Sequence, residues 1–313
     1  MKIRLGYVAI SQALEETTST TYPVTRFEKE KNWKKLEEVI ISNLESLIHI
    51  LIYNQKNNIH FYRISSNLIP FATYDKIKFD YITPYQKYYQ KIGRIIKENK
   101  IRTDFHPNQY CVLNSTKKEV IDHSIKILEY HYQLLKEMKI EEKIIILHIG
   151  SSTFGKKNSL SRFLHTFDQL PKYLQDIIAI ENDDKVFTID DCLILSRKRG
   201  IPIVLDYHHF YCNPGELEIH NYLEEVFSTW KNKNLPPKIH FSSPKNKKEY
   251  RSHHDFINSD SFISFLNILK NYPNDVDIML EAKAKDDALF RLVRELKYKQ
   301  NYHFLDETTF LLK

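Results

Sequence analysis

The chain has 313 residues, 42% hydrophobic and 27% charged, enough to bury a core as two ordinary domains or as one α/β barrel with insertions. Its three cysteines, Cys111, Cys192 and Cys212, form no CxxC and cannot all pair, which argues against a disulfide framework and for a reducing cytoplasm. No apolar run approaches the roughly 20 residues that cross a bilayer, and the first residues read as a strand and not as a signal peptide, so no membrane partner is expected. The formal net charge of +6 suits a polyanion such as DNA, but a composition rich in Lys throughout gives the same balance without one.

In chain order, a strand at Ile3–Ile10 is followed by a helix over Glu28–Asn54, where Trp33, Leu36, Ile40, Leu44, Leu47 and Leu51 recur at helical spacing. Then come a strand at Ile59–Ile64 and a helix at Tyr85–Asn99, a strand at Ile101–His106 and a helix at Ser115–Met138. The fourth strand, Lys143–Gly150, leads to a helix near Ser159–Leu174, and the fifth, Asp176–Asp183, to Thr188–Arg199. There Thr188 suits an N-cap with Asp191 in the first turn, and Gly200 a C-terminal stop. Strand six, Ile201–His209, precedes a helix near Glu216–Trp230. Strand seven, Lys238–Ser243, precedes one near Ser259–Asn271, and strand eight, Asp277–Ala282, one at Asp286–Tyr298. Near-continuous apolar strands imply a parallel sheet covered by helices. Eight βα units with no linker or low-complexity tract predict a single (β/α)8 TIM barrel spanning residues 1–313 as one domain. Neither GxGxxG after the first strand nor GxxxxGK[ST] occurs, so no nucleotide cofactor is expected.

The strands end in residues that carry chemistry. His106, His148, Glu181, Asp206, His209, His240 and Glu281 sit at strand ends, and His253 lies in the loop after strand seven. A closed barrel gathers such ends at its C-terminal face. Singly, each is more simply a hydrogen-bonded loop residue or a helix cap. Together they would be costly to desolvate without countercharge, and two or three divalent cations would supply it, with zinc, manganese or iron better suited to mixed imidazole and carboxylate ligands than magnesium or calcium. Lys238 lies two residues before His240, so both point to one face of the strand. An ammonium there must be neutral, chemically modified or turned away; equally, it starts the strand and reaches solvent. Such a cluster suits phosphodiester hydrolysis, and sugar isomerisation as well.

Taken in order, LGY (Leu5–Tyr7), YRISSNLIPFA (Tyr62–Ala72), HPNQY (His106–Tyr110), LHIG (Leu147–Gly150), IEND (Ile180–Asp183), LDYHHFYCNPG (Leu205–Gly215), KIHFSSP (Lys238–Pro244), RSHHDF (Arg251–Phe256) and MLEAKAKD (Met279–Asp286) resemble the UV damage endonucleases. That DNA repair family shares the barrel and metal logic of endonuclease IV. The resemblance implies incision of damaged double-stranded DNA immediately 5′ to cyclobutane pyrimidine dimers and 6-4 photoproducts, with two or three divalent metals, manganese foremost and zinc an alternative, and no obligate protein partner. It implies that Glu181, Asp206, His240 and Glu281 hold one ion, that His106 and His148 hold a second with Glu181 bridging, and that His209 and His253 hold a third beside a carboxylated Lys238. His208 and His254 are adjacent rivals for the third site. Glu181, Lys238 and Tyr7 are the implied catalytic residues, Tyr7 also touching substrate. Gln109 and Tyr110 match a pair that probes the damaged duplex, and Arg63, Lys156, Lys157, Lys245, Lys247, Lys248 and Arg251 are candidate phosphate contacts. The chain departs from the family pattern at Tyr74, where a histidine is common near the metal site, and at Ser11, where relatives offer an asparagine. The competing readings are a metal-dependent sugar isomerase, a nuclease acting mainly on abasic sites, and a damage-binding protein with reduced catalysis.

Overall fold

The computed structural model describes residues 1–312. The chain runs β1 (Lys2–Val8), α1 (Val24–Glu30), α2 (Trp33–Lys56), β2 (Phe61–Ile64), α3 (Gln86–Glu98), β3 (Arg102–Phe105), α4 (Lys118–Glu137) and β4 (Ile145–His148). It continues α5 (Lys156–Gln169), α6 (Lys172–Gln175), β5 (Ile178–Glu181), α7 (Ile189–Arg199), β6 (Ile203–Asp206), α8 (Tyr207–Cys212), α9 (His220–Ser228) and β7 (Lys238–Phe241). Last come α10 (Ser259–Leu269), β8 (Val276–Leu280), α11 (Lys285–Lys299), β9 (His303–Phe304) and β10 (Thr309–Leu311). Strands β1 to β8 pair in sequence order, and β1 pairs with β2 and β8, all parallel, so the sheet closes into the expected barrel.

One addition was not legible beforehand. Strand β10 pairs antiparallel with β1 over Lys2–Arg4, while β2 meets β1 only at Tyr7 and Val8. The β9–β10 ribbon therefore covers the lower edge of β1, where β2 has not yet joined. An open edge there would expose unpaired backbone groups.

Alternation along β1 sends Ile3, Leu5 and Tyr7 into the main core together with Leu44, Leu47 and Leu51 of α2. The positions between them turn inward, and the interior is not wholly apolar. Arg4 donates to both oxygens of Asp277 at 2.6 Å, and Arg102 donates to Asp277 Oδ2 at 2.7 Å. Nearer the mouth, Lys238 donates to Asp104 Oδ2 at 2.7 Å, with neither side chain exposed.

Local signals place the loops. Thr188 N donates to Asp191 Oδ2 at 2.9 Å and Gly200 takes φ 66° at the far end of α7, as the sequence pattern requires. Strand β6 stops at Asp206 and not at His209, because Asp206 Oδ1 accepts from His209 N at 2.7 Å and so caps the short helix α8. No helix of the described residues is long and apolar enough to cross a membrane.

Candidate active site

Barrel register sets the site. His148 is level with Glu181, and Asp206 is level with His240. Glu181, nearly fully buried at the end of β5, lies among imidazoles: His106 Nε2 is 2.7 Å from Oε2, and His240 Nδ1 is 2.7 Å from Oε1. His148 Nε2 stands 3.7 Å from Oε2 and His209 Nδ1 3.5 Å from Oε1. Glu281 extends the cluster, with Oε1 3.3 Å from His240 Nδ1 and Oε2 3.8 Å from His253 Nδ1. His209 Nδ1 is also 3.7 Å from Asp206 Oδ2. The structure thus gathers the eight residues singled out from strand ends and the loop after β7.

These donors suit divalent cations on their own chemistry. Three sets, His106–Glu181–His240, Glu181–Asp206–His209 and Asp206–His240–Glu281, each bring one donor atom per residue within 4.8 Å of one another. His106 Nδ1 faces the Pro107 carbonyl at 3.0 Å and His209 Nδ1 faces the Asn182 carbonyl at 3.0 Å. Each ring must donate there, which at neutral His106 leaves Nε2 to present a lone pair, the arrangement common to metal-binding histidines. His209 is raised to about 9, against its burial, by the Asp206 and Glu181 carboxylates, so its Nε2 would release a proton on taking a cation. At His106 that lone pair would face a carboxylate oxygen, so a proton or a cation is needed between them. Asp206 Oδ2 and His148 Nδ1 are buried without a hydrogen-bond partner, a costly state that a cation at Asp206 would relieve. Burial beside Glu181 and Glu281 raises the Asp206 carboxyl, against the pull of His209. Burial pulls His240 down to about 3 and also lowers His148, keeping both imidazoles neutral. His148 keeps a free lone pair, while at His240 Nε2 accepts from Arg63 in this structure.

Two placements correct the sequence reading. Tyr7, expected at the substrate, is fully buried and donates its hydroxyl to Asn54 Oδ1 of α2 at 2.7 Å. The alternation of β1 turns it into the helix layer, away from the mouth. Arg63, expected on a phosphate, lies partly buried inside the cluster, where Nη1 donates to Glu281 Oε1 at 2.6 Å and Nη2 to His240 Nε2 at 2.7 Å. A guanidinium held by two site residues and largely shielded from water is not free to meet a backbone phosphate.

Lys238 does not stand among the donors. Its Nζ is tied to Asp104 and lies 5.1 Å from the Phe61 ring centroid. Burial pulls the amine down to about 7 despite Asp104, so a neutral amine, the form that adds carbon dioxide, is within reach at ordinary pH.

Around the mouth, Gln109 and Tyr110 are exposed in the loop after β3, where Asn108 Oδ1 accepts from Tyr110 N at 2.9 Å. Lys245 pairs with Glu249 at 2.7 Å and Arg251 stands 3.8 Å from Asp184, both partly exposed. Lys156 pairs with Asp191 at 2.9 Å, while Lys157, Lys247 and Lys248 lie on the surface. Of the rivals for the third site, His208 is buried with Nε2 3.8 Å from Cys212 Sγ, and His254 Nδ1 accepts from Phe256 N at 2.9 Å. Neither falls in the sets above, nor do His148 and His253, which reach the cluster only through Glu181 at 3.7 Å and Glu281 at 3.8 Å. Tyr74 packs half-buried with its ring 6.3 Å from that of Phe71, and Ser11 donates to buried Asp286 at 2.6 Å.

Sequence reasoning missed three residues. Asp104, two positions before His106 and so on the same face of β3, could have been found by the spacing that exposed Lys238. Asn182 gave no such signal: its amide accepts from Asp206 N at 2.9 Å and donates to Asp206 O at 3.0 Å, locking β5 to β6 at the site. Asp286 ties down the loop after β1 through Ser11, Gln12 N at 2.6 Å and Tyr53 at 2.9 Å.

The profile of the family described as UV-endonuclease UvdE matches residues 3–307. A UV DNA damage endonuclease of Bacillus cereus (strain B4264) is 38% identical over 301 residues, covering 95% of each chain, and that of Bacillus anthracis is 36% identical with the same coverage. Among solved structures, SacUVDE superposes with a TM-score of 0.86 at 37% identity, covering 95% of this chain and 98% of its own. Endonuclease IV from Thermus thermophilus, at 11% identity and a TM-score of 0.55 over 95% of this chain and 99% of that one, shares the fold. So does a D-psicose 3-epimerase from Clostridium cellulolyticum H10, at 10% identity and 0.51 over 77% and 83%. The match over nearly the whole length, at this level of identity, agrees with the resemblance carried by the ordered motifs: the chain belongs to the UV-endonuclease UvdE family.

Proposed function

We propose that this DNA endonuclease cuts double-stranded DNA immediately 5′ to pyrimidine dimers and 6-4 photoproducts, in the cytoplasm, with two or three divalent metals at the barrel mouth. The observation that carries the reading is the position of Glu181, with His106 on one carboxylate oxygen and His240 on the other.

In this reading Glu181, Asp206, His240 and Glu281 hold one manganese or zinc ion, His106 and His148 a second, and His209 and His253 a third. Bound there, such ions lower the pKa of a water nucleophile and stabilise charge on the scissile phosphate and leaving oxygen. The protein's part is placement. Asn182 and the Pro107 carbonyl fix the orientation of Asp206, His209 and His106, and Arg63 holds Glu281 against His240. Gln109 and Tyr110 project toward the duplex, where an amide and an aromatic ring can fill the space left by everted bases. Lys238 remains in the proposal as the site of carboxylation.

The test is an end-labelled duplex carrying one pyrimidine dimer, one abasic site or no lesion, incubated with the protein and Mn²⁺. A single cut just 5′ to the dimer is expected. Equal cutting of damaged and undamaged duplexes contradicts the repair reading, and binding without a cut favours the damage-binding alternative.

A further inference from the structure

The sequence singles out one aromatic residue at the mouth, Tyr110; the structure exposes another on the neighbouring loop. Phe154, between β4 and α5, is 76% exposed, matching the 74% of Tyr110. A phenylalanine held in water forgoes the stabilisation of burial. It also sits at φ 62°, in the left-handed region that a residue with a Cβ enters at a cost.

The loop around it is firmly built. Ser151 Oγ accepts from Thr153 N at 3.2 Å and lies 2.6 Å from Thr153 Oγ1, and Gly155 N donates to Ser152 O at 2.8 Å. Arg162 reaches back from α5, donating from Nη2 to Thr153 O at 2.6 Å and from Nε to Asn114 O at 2.8 Å. Exposure of Phe154 is therefore imposed by the fold and is not a frayed tip.

Asn114 is the link to Tyr110. It is fully buried in the loop after β3, donates Nδ2 to Ser151 O at 2.8 Å and accepts from Ser151 N at 3.1 Å. Gly150, at φ 115°, makes the seam possible, since a Cβ there would meet Asn114 Oδ1 at 2.4 Å. The loops carrying Tyr110 and Phe154 are thus stitched together by one buried amide. Lys157 lies exposed in the first turn of α5, placed for a phosphate next to such a contact.

We propose that Phe154 is a second base-stacking residue, engaging a nucleobase of bound duplex from the loop beside the one that carries Tyr110. Two aromatic faces held in fixed relation by Asn114 would read a bent or unstacked step better than either alone, because stacking needs no particular base. The inference rests on the DNA reading above and adds to it a contact residue.

The experiment measures fluorescence anisotropy on a dimer-containing duplex whose scissile linkage is a phosphorothioate, and metal content per chain. Phe154→Ala is expected to weaken binding by about 5- to 100-fold, the effect of losing a base–aromatic stack, with metal content unchanged. Phe154→Trp is expected to bind as the wild type does and to show emission quenched by DNA beyond any change in the wild-type signal. Alanine binding within about two-fold of wild type, or a tryptophan at 154 that DNA leaves unquenched, overturns the proposal. Wild-type protein that fails to bind the duplex overturns the DNA reading and this inference together, and is distinguished because it shows before any variant is made.

Discussion

Glu181 and His240 reach the barrel mouth from β5 and β7, and Glu181 Oε1 lies 2.7 Å from His240 Nδ1. Glu181 Oε2 is spent on His106 at the same distance. A single carboxylate therefore joins residues from three strands.

Replacing Glu181 by Gln keeps the shape and removes the charge. Cleavage is expected to fall by more than about 100-fold, since even residues that only support a metal ligand cost about 10- to 100-fold. Far-UV circular dichroism should be unchanged. Full activity in Glu181→Gln would remove it from the ligand set.

The Lys238–Asp104 pair lies fully buried beneath the cluster. Breaking it from one side should destabilise the fold by about 1–3 kcal/mol, because the group left behind loses its hydrogen bond in a fully buried place, the Lys238 amine by turning neutral and Asp104 by keeping only Arg63 at 3.7 Å. Urea denaturation of Asp104→Asn and Lys238→Met would show this. The double variant Asp104→Leu with Lys238→Met should recover part of the loss, and a double variant as unstable as the sum of the singles would argue against mutual neutralisation.

Carboxylation of Lys238 is expected to appear as a bicarbonate-dependent mass increment of one carbon dioxide, read by native mass spectrometry and absent from Lys238→Met. Rising pH should favour it by populating the neutral amine, whose pKa burial has lowered to about 7. An unmodified lysine under all bicarbonate concentrations would leave it as the partner of Asp104 alone.

Stability in acid should carry the signature of His131. This imidazole is buried, with ring centroids 4.6 Å from Phe105 and 4.9 Å from Tyr130, and burial drags it from 6.5 to about 3. A lowered folded-state pKa means that the unfolded chain takes up the proton first. The contribution is therefore whole above pH 6.5 and shrinks as pH falls toward 3. At pH 5 the loss is about 2 kcal/mol. His131→Phe should flatten this part of the stability profile, and an unchanged profile would contradict the assignment.

Tyr110→Ala is expected to reduce the preference for damaged over undamaged duplex by about 5- to 100-fold while leaving bound metal unaltered. Competition binding with the two duplexes measures it. Unchanged discrimination would retire the probing role.

The strand order and the gathering of His106, His148, Glu181, Asp206, His209, His240, His253 and Glu281 were legible because near-continuous apolar strands end in polar residues, with His253 in the loop after one of them, and barrel closure does the rest. Less legible was anything set by side-chain direction near the end of a strand. Tyr7 and Arg63 looked alike in the sequence as polar residues at strand ends, yet alternation sends Tyr7 to Asn54 and Arg63 to Glu281. The charged interior at Arg4, Arg102 and Asp277 was hidden because apolar neighbours such as Ile3, Leu5 and Ile278 dominate those strands. Phe154 gave no signal, since its exposure follows from a loop whose backbone bonds only the fold defines.

The most direct measurement is a manganese titration of metal-stripped protein, followed by electron paramagnetic resonance and equilibrium dialysis. Two or three tightly bound ions per chain with a spin-coupled signal are expected for the wild type, the coupling lost in Glu181→Gln. Only weak binding with the spectrum of isolated hydrated Mn²⁺, identical in both proteins, would contradict the gathering of these side chains around shared ions.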